Sequence, residues 1–274
     1  MGTVSWGPMV IALAAAAGTI AVLMLLTLGL SLRQRNWSII DTFWGLGFVA
    51  IAVVSYLISI GHGDPGRRLV AGLVPLVWGL RLAGYIHWRN HGKGEDPRYT
   101  ALLRRRTGPL LPYVIKTIFW PQGWVMWVVA IPITVAMFER QPVTALTWVG
   151  VALAAVGLFF EAVGDAQLAR FKSDPANHGK IMDRGLWAWT RHPNYFGDIC
   201  VMFAFWIVAL GAWVGLATVV APVLMTRMLI AKSGKALLER RMARSRGPEY
   251  AAYVARTSGL FPRPPRKLSA TGPH

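Results

Sequence analysis

The chain has 274 residues, of which 54% are hydrophobic and only 15% charged. Soluble domains carry about 25% charged residues, so this balance argues against an ordinary soluble fold. The net charge of +17 would suit a nucleic-acid binder, but the basic residues lie between apolar runs, which is how membrane proteins fix their orientation.

A bilayer core needs roughly 20 apolar residues per helix. The first run, about Pro8–Ser31, has no basic residue ahead of it and exceeds the roughly 7–15 residues of a signal-peptide core, so it reads as a first span. Further runs follow at about Ile39–Gly61, Leu69–Trp88, Thr117–Phe138, Ala145–Leu168, Ile199–Ala212 and Val214–Ala231, the last two short and meeting at Gly211–Trp213. The expected fold is all-α, a polytopic integral membrane protein of about seven transmembrane helices. With the N-terminus outside, 24 of the 29 Lys and Arg residues fall in inside loops and 3 (Arg67, Arg68, Arg140) in outside loops. That bias predicts a cytoplasmic C-terminus. Residues 1–262 read as a single membrane domain. Residues 263–274 read as a disordered basic and polar tail, suited to anionic lipid. The expected location is the cell inner membrane, multi-pass.

Ionisable groups near membrane depth are costly and mark candidate function. Asp41, Arg81, Glu161, Asp165, Asp198 and Arg227 all lie near the cytoplasmic ends of spans. Glu161 and Asp165 share one helix face, so a cation or donor must face them, with Lys172 and the basic C-terminal region at hand. The densest polar stretch is Gly185-Leu-Trp-Ala-Trp-Thr-Arg-His-Pro-Asn-Tyr-Phe-Gly-Asp198. There Arg191 suits phosphate, Asn194 offers both a donor and an acceptor, and Asp198 favours a helix start. Arg81, Tyr85 and Trp88 line one face of the third span. A single cysteine, Cys200, excludes an intramolecular disulfide framework and a multi-cysteine metal site. His87 and His91 are four apart but have no third ligand at a recognisable spacing, so no metal is expected. Neither a Gly-x-Gly-x-x-Gly after a strand nor a Walker A motif occurs.

The 185–198 block resembles the C-terminal signature of steroid 5-alpha-reductase-like membrane proteins, and more closely a bacterial branch of that family. Glu161-x-x-x-Asp165-x-Gln167-x-x-x-Phe171-Lys172 fits the same branch. So do Asp41-x-x-Trp44-Gly45, Arg81-Leu82, Glu95-Asp96-Pro97-Arg98-Tyr99 and Tyr250-x-x-Tyr253. The resemblance covers roughly residues 35–262, with its specific signature at 161–198. It implies a seven-helix fold binding NADPH from the cytoplasmic side, and hydride transfer to the β carbon of an enone while an acid polarises the carbonyl. It assigns cofactor binding to Glu161, Asp165, Lys172, Arg191, His192, Asn194, Tyr195, Asp198, Arg240, Tyr250 and Tyr253. Catalysis falls to Tyr85 and Asp41. Glu161 stands where the steroid reductases have asparagine, and Asp198 where they have glutamate. The implied partners are a lipophilic small-molecule substrate and membrane lipid, with no nucleic acid.

Arg191-His192-Pro193-x-Tyr195-x-Gly197 also resembles the motif of membrane methyltransferases acting on isoprenylcysteine and phospholipids. Glu239 and Gly247-Pro248-Glu249-Tyr250-x-x-Tyr253 match their C-terminal elements. That alternative implies S-adenosylmethionine in place of NADPH.

Overall fold

The computed structural model describes residues 3–232 and 235–266. Among these the chain is helical throughout: α1 (Trp6–Gln34), α2 (Ile39–Ile58), α3 (Pro65–Asn90), α4 (Pro97–Leu103), α5 (Leu110–Val114), α6 (Trp120–Met137), α7 (Ala145–Ser173), α8 (Leu186–Trp189), α9 (Pro193–Val208), α10 (Trp213–Ala217), α11 (Val220–Arg227) and α12 (Lys235–Arg256). No strand forms among the described residues, only isolated bridges of Val4 with Glu139 and Thr190 with Ser258.

Six helical stretches among the described residues are long and apolar enough to cross a membrane. They are Trp6–Gln34, Ile39–Ile58, Pro65–Asn90, Leu110–Met137, Ala145–Ser173 and Trp213–Arg256. The chain is therefore a multi-pass membrane protein. The run expected at Ile199–Ala212 is the shorter α9, which starts six residues earlier because Asn194, Tyr195 and Asp198 are themselves helical. At 1.5 Å per residue it spans roughly 24 Å, less than the hydrocarbon core. The run expected at Val214–Ala231 is α10, α11 and a π-helical turn, Met228–Lys232. Another π turn, Ile115–Phe119, joins α5 to α6 beneath Pro121, where the ring replaces a backbone donor.

The dipeptide Asp-Pro starts a helical turn three times. Asp64 accepts from the Arg67 amide, Asp96 from the Arg98 amide and Asp174 from the Ala176 amide, each with proline just inside the turn. The aspartate satisfies an orphan donor and the proline pre-sets φ at a position whose N–H needs no partner. The Asp64 cap draws Arg67 and Arg68, both read as outside-loop residues, into the first turn of α3, where both are buried.

The chain forms two compact units, Met1–Val151 with Phe205–Ala221, and Ala152–Ala204 with Pro222–His274. In the first, α6 is the inner helix, buried along most of its length and packed against α1, α2 and α3. α1 buries a single stripe (Met9, Ala12, Ala16, Ile20, Met24) and exposes Val10, Ile11, Val22, Leu25 and Leu26, the signature of a lipid-facing helix. α2 and α3 touch backbone to backbone: a Cβ on Gly79 would lie 2.5 Å from the Gly45 carbonyl oxygen. Such small-residue seams let helices associate where lipid offers no hydrophobic drive. Above the seam Phe48, Trp78 and Phe205 pack together, with Phe48 edge-on to Trp78 at 5.1 Å.

A buried ion pair holds the other end of this unit. Arg67 Nη1 lies 3.0 Å from Glu139 Oε2, and the same guanidinium donates to the carbonyls of Gln141, Val208 and Pro142. Burial drives the Glu139 carboxyl up to about 8 while Arg67 pulls it down.

In the second unit α7 and α9 repeat the glycine seam. A Cβ on either Gly157 or Gly197 would meet the other's carbonyl oxygen at 2.5 Å. Tyr250 and Tyr253 of α12 close on Ile181 and Met242 in a small core. The expected tail begins with two anchored residues: Arg263 N–H donates to the Trp189 carbonyl and Arg266 N–H to that of Arg256. From residue 267 onward that expectation lies outside the described residues.

Candidate functional site

The polar 185–198 segment is built by short local bonds. Gly185 takes φ 57°, a left-handed value that favours glycine, and Gln167 on α7 lies against it while accepting from the Leu186 amide at 2.9 Å. Trp187 Nε1 donates to the Gly164 carbonyl at 2.9 Å. The Thr190 hydroxyl donates to the Leu260 carbonyl and accepts from the His192 amide just ahead of α9.

Arg191 and His192 then converge on Glu239 of α12. Arg191 donates from Nε at 3.0 Å and Nη2 at 2.7 Å to Glu239 Oε1, and His192 Nε2 stands 3.2 Å from the same oxygen. Lys235, one turn earlier on α12, lies 3.9 Å from the other carboxylate oxygen. Arg191 Nη1 also donates to the Thr257 carbonyl at 2.6 Å. His192 is buried, which pushes its pKa down to about 4; Glu239 opposes that shift, and Arg191 and Lys235 reinforce it. The ring is therefore neutral near pH 7. With a carboxylate at Nε2, the proton sits on Nε2 and the lone pair on Nδ1. Tyr195 stacks on this ring at 5.3 Å with 7° between the planes.

Glu161 and Asp165 are both buried on α7. Along the same helix Gly157, Glu161 and Gly164 face Gly197, Pro193 and the Asn194 amide of α9. Glu161 and Asn194 are thus brought to one helix pair. Asp198, expected at the helix start, falls in its second turn. Lys172 lies at the exposed end of α7. Tyr253 donates to the Trp187 carbonyl at 2.6 Å, and Tyr250 packs on Tyr253. Arg240 is turned about 100° from Glu239 by the helical repeat and is exposed.

The first unit holds the residues assigned to catalysis, in two separate sets of contacts. Asp41 accepts from the Tyr99 hydroxyl at 2.6 Å and from Arg98 Nη2 at 2.6 Å. Gln122 joins them, accepting from Trp44 Nε1 at 2.5 Å and reaching the Tyr99 oxygen at 3.5 Å. Burial, with Asp41 alongside, raises the Tyr99 pKa well above its usual value, so it remains a proton donor. Glu95 caps the start of α2 by accepting from the Trp37 and Ser38 amides. Tyr85 instead lies between Arg81 and Arg89, 5.4 and 5.7 Å from its ring, beside Trp88. Among the described residues, no group of three His, Cys, Asp or Glu side chains is arranged to hold a metal ion.

Tyr99 was named in the 95–99 motif without a role, and Gln122 was not among the expected site residues. The signal for Tyr99 was the preceding Asp96-Pro97, which starts a helical turn and so fixes the direction of the phenol. Glu239 entered only through the methyltransferase resemblance.

No solved structure matches the chain. An uncharacterized protein of Schizosaccharomyces pombe (strain 972) is 23% identical over 273 residues, covering 86% of this chain and 75% of the relative. The family described as "Protein of unknown function (DUF1295)" matches residues 27–257, most of the chain, and the protein belongs to that family.

Proposed function

We propose that the protein is an NADPH-dependent membrane reductase transferring hydride to the conjugated C=C of an enone in a steroid-like or other lipid substrate. In this reading it crosses the inner membrane seven times, N-terminus outside and C-terminus cytoplasmic. The observation that carries the reading is the α7–α9 seam, where Glu161 of one helix and Asn194 and Gly197 of the other share a glycine-lined contact. These are residues for which the reductase resemblance assigns the cofactor grip. Their chemistry fits a dinucleotide phosphate. Glu161, Asp165 and Asp198 can accept from ribose hydroxyls, Asn194 can pair with a carboxamide, and Lys172 and Arg191 bring positive charge for phosphates.

NADPH supplies the hydride when bound. The chain's part is to hold a hydrogen-bond donor at the substrate carbonyl, the role the resemblance gives to Tyr85 and Asp41; Asp41, which accepts from Tyr99 and Arg98, would act by orienting a phenol. As hydride reaches the β carbon, negative charge develops on the carbonyl oxygen, and a hydrogen-bond donor there stabilises it. A proton drawn from solvent water then adds at the α carbon of the enolate to give the saturated ketone. Tyr99, already bonded to Asp41, supports extending that acid set to a second phenol.

One observation favours a second reading, an S-adenosylmethionine-dependent lipid methyltransferase: Arg191 and His192 both meet Glu239. A thermal-shift series on detergent-purified protein with NADPH, NADH and S-adenosylmethionine separates the two. Stabilisation by NADPH that vanishes in Asn194→Ala is the expected result. Stabilisation by S-adenosylmethionine alone, lost in Glu239→Ala, transfers the assignment to the methyltransferase.

A further inference from the structure

α12 has two chemically different faces. Lys235, Glu239, Met242 and Arg246 recur at helical spacing and are partly buried, with Glu239 held against Arg191 and His192. Leu237, Arg240, Arg241 and Arg244 occupy the opposite side and are exposed, with exposed Leu238 on its flank. The helix breaks at Gly247, where φ is 46°, so this face ends where regular geometry ends. Two chain facts place it near a bilayer. The apolar α11 and its π turn precede it directly, and three peptide steps keep Lys235 within about 11 Å of Lys232. The turn Met228–Lys232 also packs against α12.

The geometry points to the Arg240–Arg241–Arg244 face of α12 as a docking surface for anionic phospholipid headgroups, which clamp the helix and so hold Glu239 against Arg191 and His192. Three guanidiniums within five residues supply charge for phosphodiesters, and Leu237 and Leu238 offer apolar contact one turn nearer the membrane, as in interfacial helices. The inference does not rest on the reductase reading: it gives Arg240, which the resemblance assigned to the cofactor, to the exposed face turned away from Glu239.

Hydrogen–deuterium exchange of the full chain in nanodiscs tests it, comparing phosphatidylcholine alone with phosphatidylcholine containing phosphatidylglycerol. Amides of residues 235–246 should exchange roughly 10²-fold more slowly in the anionic discs, from three arginine contacts of about 1 kcal/mol each. The effect should disappear in Arg240→Gln/Arg241→Gln/Arg244→Gln and in high salt, while exchange across α1 and α6 stays the same and confirms the fold. Equal exchange in the two lipids overturns the proposal. So does protection in neutral discs on adding inorganic phosphate, which would make the ligand a soluble phosphate.

Discussion

Arg191 and Glu239, 48 residues apart in sequence, form a bifurcated charge-assisted contact in which two guanidinium nitrogens share one carboxylate oxygen. That contact ties the polar segment before α9 to α12, and its loss leaves a nearly buried guanidinium without its counter-charge. Glu239→Ala should therefore destabilise the protein by about 2–4 kcal/mol, with Glu239→Gln costing less because the amide oxygen still accepts. Thermal unfolding in detergent measures both. Equal, negligible losses would show that the pair is solvated.

His192 provides a pH signature. Its folded pKa is depressed to about 4 from the ordinary 6.5, chiefly by burial. The unfolded chain therefore takes up the proton first as pH falls. The stabilising contribution is fully present above pH 6.5 and is lost progressively down to about 4, a change on the order of 3 kcal/mol. His192→Gln should flatten the melting temperature across that window. An acid limb of the same steepness in the variant would assign it to other groups.

The glycine seams should tolerate no side chain. Gly79→Ala drives a methyl into the Gly45 carbonyl and into Val49, and overpacking of this kind costs about 1–3 kcal/mol. Gly84→Ala in the same helix meets nothing within 4 Å and should be neutral or slightly stabilising through helix propensity. Melting temperatures of the pair, measured side by side, check the contrast.

The two phenols can be ranked. Tyr99→Phe removes the 2.6 Å bond to Asp41, leaving the carboxylate to Arg98, and should lower stability by about 1 kcal/mol. Under the reductase reading it should also cut turnover by roughly 10²-fold, with NADPH affinity unchanged. Tyr85→Phe keeps its ring against Arg81 and Arg89 and serves as the comparison. If only Tyr85→Phe loses turnover, Tyr99 is confined to a structural role.

The first five spans were legible because lipid imposes one rule along each helix, and long apolar runs report it directly. Helix ends were harder to read. The apolar run reads as beginning after Arg67 and Arg68, yet the Asp64 cap makes both helical, Glu139 pairs with buried Arg67, and Ser59 and the Tyr56 carbonyl accept from buried Arg68. The start of α9 was missed for a related reason: Asn194 and Asp198 are polar by composition but helical by backbone. In the candidate site, Glu161 and Asn194 were named only through the family resemblance, and their meeting along the α7–α9 seam depends on helix packing that no local spacing states. The contact of Glu239 with Arg191 joins residues so far apart that no local periodicity signals it. Tyr99 was hidden because its bond to Asp41 depends on how α2 and α4 meet, not on either segment alone.

The recurring Asp-Pro starts bear on how such a chain enters a membrane. Each is set by a carboxylate, a fixed φ and an amide no more than three residues away, so no neighbouring helix is required to form it. Contacts this local close early, whereas the glycine seams and the arginine clasps must wait for distant partners. A nascent chain emerging one segment at a time could therefore establish where α3 and α4 begin before α6 has been synthesised, and later packing would select among orientations of segments whose boundaries are already fixed.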